Sequence, residues 1–215
     1  MNKYQLGFAA MGSLMSILFL ITVNLLTSPQ YLWFIYPTFI LLVWLFSLIF
    51  IKTKYYLLNA IFCSFMFMVF IITLNYMHSP NHPWFLYVTL PAILWPIAVA
   101  YGKKTKTLTF AVVTSGSIIL YYAVLNILLA PEYPWAIYPA FVVLWWPLVL
   151  YFTRKKDYFG LSALCSIITI IFFITVNVVS TPNTIWAIYP IFLILWWPLS
   201  MYFFYLKKQS IQILK

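Results

Sequence analysis

An asparagine followed by a proline five residues on, a tryptophan nine on and a tyrosine twelve on occurs four times in this chain, each copy 51 residues after the last. The asparagines are Asn24, Asn75, Asn126 and Asn177, and the tyrosines are Tyr36, Tyr87, Tyr138 and Tyr189. Two further columns keep the same step. A serine lies 11 residues before each asparagine, at Ser13, Ser64, Ser115 and Ser166, and a second tryptophan follows at Trp44, Trp95, Trp146 and Trp197. A period without insertion or deletion marks one unit copied in tandem with every connection length kept. The spacing predicts repeats at residues 1–54, 55–105, 106–156 and 157–215 within a single domain spanning 1–215.

What each unit folds into follows from its apolar runs. The chain is 66% hydrophobic and 7% charged, with a mean hydropathy of +1.01, so it cannot clothe a soluble globule in polar surface. Runs such as LLVWLFSLIFI are apolar on every side, which excludes the alternation of a membrane strand barrel. Each repeat holds two runs of the roughly 20 residues that a helix needs to cross the hydrocarbon layer. The predicted fold is an all-α integral membrane protein of eight transmembrane helices, arranged as four tandem parallel helical hairpins. In the first repeat helix A runs from about Gln5 to Leu26, a turn holds Thr27, Ser28 and Pro29, and helix B runs from about Trp33 to Ile51. The second runs from Tyr55 to about Met77 and from Trp84 to about Tyr101. The N-terminal segment has the basic start and apolar run of a secretory signal, but it stays in register with Tyr55 to Tyr76 and is read as a retained span.

Charge then orients the spans. Lys52 and Lys54, Lys103, Lys104 and Lys106, Arg154 to Lys156, and Lys207 and Lys208 all follow B helices, and no basic residue lies in an A-to-B turn other than His78 and His82. The positive-inside rule places both termini and the three links in the cytoplasm and the turns outside. Glu132 falls in an outer turn, and Asp157 borders an inner basic cluster. The net charge of +10 is accounted for by topology and anionic lipid head groups, so no nucleic-acid partner is expected.

The repeated polar residues share a face. Eleven steps along a helix end about 20° from the start, so each Ser and its Asn lie on one stripe of helix A. Small and polar residues on one stripe suit close helix contact in lipid, and an amide beside a turn can bond the backbone groups that the turn leaves unpaired. Trp44, Trp95, Trp146 and Trp197, with Tyr36, Tyr87, Tyr138 and Tyr189, are candidate aromatics for an apolar ligand or, alternatively, for helix packing. Pro96, Pro147 and Pro198 directly follow the inner tryptophans, which predicts bent B helices. Cys63 and Cys165 are read as small core residues, and the two histidines as solvated turn residues. No Asp, Glu, Lys or Arg lies within a span, which argues against an ion-coupled pump. No phosphate loop, metal-ligand spacing or nucleophile constellation is present, so the expectation is a protein with no catalytic residues, cofactor or metal.

The unit formed by Asn126, Pro131, Trp135, Tyr138, Pro139 and Trp146 resembles the bacterial two-helix membrane module called the 2TM domain. Where that family is Gly-rich at the cytoplasmic end of its second helix, this sequence has Pro147 and Leu148. The resemblance implies a helical hairpin found alone or joined to signalling proteins, with no catalytic residues to carry over. The expected function is that of a non-enzymatic sensor or accessory subunit in a signalling or export complex of a bacterial cytoplasmic membrane. Its partners would be membrane lipids and a membrane protein or further copies of itself. The alternative is a carrier or binding protein for an apolar or lipid-like small molecule.

Overall fold

The structure, a computed structural model, describes residues 3–207; Lys208 of the last basic cluster lies outside them. Every regular element among the described residues is helical. Eight α-helices follow one another: α1 (Lys3–Thr27), α2 (Ile35–Lys52), α3 (Tyr56–His78), α4 (Leu86–Tyr101), α5 (Leu108–Leu129), α6 (Ile137–Lys155), α7 (Tyr158–Ser180) and α8 (Ile188–Met201). A 3-10 turn, Gly102–Lys106, follows α4, and a π-helical turn, Tyr202–Leu206, extends α8. All eight are long and apolar enough to cross a membrane, α4 together with its 3-10 turn (Leu86–Lys106) and α8 together with its π-helical turn (Ile188–Tyr205).

The chain divides into two compact units, Met1–Gly102 with α1 to α4 and Lys103–Lys215 with α5 to α8. Within each unit every helix packs on its sequence neighbour. The buried positions are mostly small: Ala60, Cys63, Ser64 and Ala92 in the first unit, Ala111, Ser115, Ser162, Cys165 and Ser166 in the second. Large apolar side chains such as Phe8, Phe19, Leu26 and Phe192 stand exposed instead. That inversion is physically sensible where lipid tails solvate leucine and phenylalanine as well as a neighbouring helix does, because contact then rewards small residues that let backbones approach. It also distinguishes the two kinds of helix. The buried residues of α3, α5 and α7 run along most of their length, whereas α2, α6 and α8 have none.

The links show how the chain reverses at the basic ends. After α2, the N–H of Tyr55 donates to the carbonyl of Phe50 at 3.0 Å and that of Lys54 to Ile51 at 3.1 Å; after α6, Asp157 donates to Phe152 and Lys156 to Thr153 in the same way. This is the double bond of a Schellman cap, which requires a left-handed residue and usually finds glycine there. Here Lys54 (φ 60°) and Lys156 (φ 56°) take that conformation, placing a cation at the negative end of each helix dipole. α7 restarts at once, its first turn capped by Asp157 Oδ1, which accepts the Gly160 N–H at 2.8 Å. A Cβ on Gly160 would lie 2.8 Å from Asp157 Cγ and from the Phe152 ring, so glycine is what permits this close approach.

Candidate functional site

The four repeated asparagines lie where each A helix meets its turn, and all are buried. Asn24 donates from Nδ2 to the carbonyls of Ser28 at 2.8 Å and Tyr31 at 3.0 Å, and its Oδ1 accepts the backbone N–H of Phe34 at 2.9 Å. Asn75 makes the same three bonds with Ser79, His82 and Phe85. Asn126 makes them with Ala130, Tyr133 and Ala136. Asn177 does so with Thr181, Thr184 and Ala187, adding the N–H of Trp186. The opening N–H groups of a helix have no acceptor within it, and Phe34, Phe85, Ala136 and Ala187, the residues just before α2, α4, α6 and α8, have no cap from their own side chains. Each is capped instead by an amide ten residues earlier. Both amide hydrogens and the carbonyl oxygen are spent on the turn, which leaves these side chains little capacity for a ligand.

The serines sit 11 residues deeper along each A helix, and all four are buried. Ser115 Oγ donates to the carbonyl of Val143 at 2.9 Å and Ser166 Oγ to that of Ile194 at 3.4 Å. Those carbonyls are the ones four residues before Pro147 and Pro198, and proline has no N–H to return to them. The serine of helix A thus supplies the donor that the proline of helix B lacks. In the first repeat Leu45 occupies the proline position, the carbonyl keeps its own helix donor, and Ser13 Oγ has no partner. Ser64 differs. Pro96 withholds a donor from Ala92, 28 residues after Ser64 as in the other pairs, yet Ser64 Oγ is buried without any hydrogen bond.

At the A-to-B turns, Tyr31, Tyr133 and Ser180, which sequence reasoning did not single out, meet tyrosines and histidines that it did. Tyr133 OH lies 2.5 Å from Tyr138 OH and 2.9 Å from Ser180 Oγ, and these hydroxyls, Ser180 first, pull the Tyr133 phenol below its ordinary range. Tyr31 OH lies 3.4 Å from Tyr36 OH, and His82 Nε2 3.2 Å from Tyr87 OH. His78 Nε2 is 3.5 Å from Tyr36 OH. The signal was present, since Tyr31, His82 and Tyr133 occupy one column of the repeat. Among the described residues, no three His, Cys, Asp or Glu side chains gather as metal ligands would.

The candidate aromatics separate. Trp44, Trp95, Trp146, Tyr138 and Tyr189 are exposed, Tyr189 to 72%, while Tyr36, Tyr87 and Trp197 are half-buried. Trp95 lines a cavity of about 620 Å³ among α2, α3 and α4, with Val43, Ser47, Asn59, Ser64 and Ala92. Cys63, also in its wall, lies 3.2 Å from Ser47 Oγ and 3.6 Å from Asn59 Oδ1. In the second unit the equivalent residues of α6 and α8, Trp145 and Trp197, lie in an offset stack, centroids 6.1 Å and planes 4° apart. Comparison with protein-family models, with curated proteins and with solved structures finds no match for this chain.

Proposed function

We propose that the chain is a multi-pass protein of a bacterial cytoplasmic membrane, built of four tandem hairpins, and that it acts by association, as a non-enzymatic sensor or accessory subunit of a signalling or export complex. The observation that carries this is the electrical silence of its spans. The two acidic residues, Glu132 and Asp157, lie in a turn and at a helix cap, and among the described residues Lys and Arg lie at helix ends and in the links. Coupling to an ion gradient calls for an ionisable group within the membrane, and the buried amides are already committed to their turns. The links between helices are a handful of residues, too short to house a nucleotide-binding fold. Exposed apolar surface along every helix suits lipid and a membrane-protein partner, or a second copy; the basic ends suit anionic head groups.

Two outcomes test this. In a background lacking Cys63 and Cys165, an impermeant maleimide applied to intact cells is expected to label cysteine at position 132 and to spare positions 105 and 157. The opposite pattern would remove the proposed orientation. The purified chain reconstituted alone into liposomes is expected to show neither solute accumulation nor catalytic turnover, and either activity without a second protein would sink the association mechanism.

A further inference from the structure

We propose that the cavity among α2, α3 and α4 binds one uncharged, largely apolar alcohol, whose hydroxyl accepts a hydrogen bond from Ser64 Oγ and donates one to the carbonyl of Ala92. The site goes beyond the association mechanism and does not depend on it.

The size and lining set the class of molecule. A volume of about 620 Å³ lies within the range of small-molecule pockets, roughly 300 to 1,000 Å³, and on α2 the wall runs from Phe39 to Ile51, about 18 Å of helix. No charged side chain lines it, so a carboxylate or amine would be stripped of water without compensation. The polar groups Ser47, Cys63 and Asn59 face one another. Of the two hydroxyls in the wall, Ser64 Oγ is the one without a partner, in a residue 7% exposed, and buried hydroxyls of that kind are rare. Ala92 lines the same cavity, and Pro96 withholds the usual N–H from its carbonyl. An acceptor is missing for Ser64 and a donor for Ala92, and a hydroxyl is the group that supplies both.

The second unit serves as an internal control. Phe39 stacks on Phe70 at 4.0 Å as Phe141 does on Phe172 at 4.1 Å, so part of the packing is common to both. The cavity-lining positions then diverge. Val43 corresponds to Trp145, Ser47 to Val149, Asn59 to Leu161 and Ala92 to Ile194. These four exchanges make the first unit smaller or more polar, while Ile51 and Phe67 are larger than the matching Thr153 and Thr169. Where the second unit is filled by indole and its Ser166 bonds the Ile194 carbonyl, the first unit keeps both a space and an unused hydroxyl.

The test is saturable binding of tritiated 1-tetradecanol to the purified full chain in detergent micelles, with unlabelled competitors. The expected result is about one site per chain, with tetradecane and tetradecanoate competing at least tenfold less well. Ser64→Ala is expected to weaken binding about tenfold. Val43→Trp, which copies the second unit, is expected to abolish it with the thermal midpoint kept; should that variant fail to fold, Ala92→Ile fills the same space. No saturable binding, binding unchanged in both Ser64→Ala and the filled variant, or equal competition by tetradecane would overturn the proposal. Mass spectrometry of neutral lipids extracted from the wild-type chain and from the filled variant separates the sources. An alcohol enriched only in the wild type identifies a resident lipid, and saturable uptake of the added alcohol without such enrichment identifies a molecule that comes and goes.

Discussion

Asn126→Leu is expected to destabilise its hairpin by on the order of 4 kcal/mol. Leucine fills a similar volume but strands three backbone groups: the N–H of Ala136 and the carbonyls of Ala130 and Tyr133. A buried group left unpaired costs about 1–3 kcal/mol, and the nearness of water at a turn holds each toward the low end. The measurement is reversible unfolding in mixed micelles, followed by far-UV circular dichroism. Asn59→Leu is the control, since Asn59 is half-buried, its recorded contact is the 3.6 Å approach of Cys63, and Leu161 stands at the matching place in the second unit. That variant is expected to change stability by less than about 1 kcal/mol, within the range of substitutions away from such bonded networks. Equal effects from the two substitutions would mean that the turn amides do not hold the hairpins.

Trp145→Val is expected to cost about 2 kcal/mol, below the 3–5 kcal/mol typical of removing a large aromatic from a water-soluble core. The difference has a physical cause. Lipid is as apolar as the packed interior, so the transfer contribution largely vanishes, and what is lost is dispersion and the stacking of Trp145 on Trp197. The same unfolding measurement gives the magnitude. Trp197 fluorescence, isolated by comparison with Trp197→Phe in the same background, is expected to shift as lipid or detergent enters the vacated space. A change under about 0.5 kcal/mol would show that the indole pair merely sits on the surface.

Much of the architecture was legible because the repeat and the apolar runs constrain it so tightly. The first four helices fall close to their sequence-derived limits; α2 and α4 are the exception, starting two residues later than the hydropathy indicates. Trp33 lies ahead of α2 because the amide of Asn24 holds the chain in its turn as far as Phe34, and apolar composition does not change across that boundary. The serine column is buried, as its stripe on helix A suits, while Trp44, Trp95 and Trp146 are exposed, the reverse of the usual order in a water-soluble core. The cavity was invisible for a different reason. A search for what recurs passes over Val43, Ser47 and Asn59, which matter because they depart from Trp145, Val149 and Leu161 at the same places in the second unit. The division near Gly102 escapes sequence reasoning too, since all three links have equal spacing while their backbones differ: a left-handed lysine at Lys54 and Lys156, a 3-10 turn at Gly102–Lys106.

The amide locks also bear on how the chain is made. Each closes over about ten residues, so the entropy lost in bringing its ends together is small and its contacts are local. A ribosome adds about 5–20 residues per second, which gives an interval of roughly 3 to 10 seconds between the synthesis of one lock and of the next, 51 residues on. Helix hairpins form far faster than that. Every turn can therefore be sealed while its successor is still being translated, and no hairpin need wait for a distant segment before its backbone is satisfied.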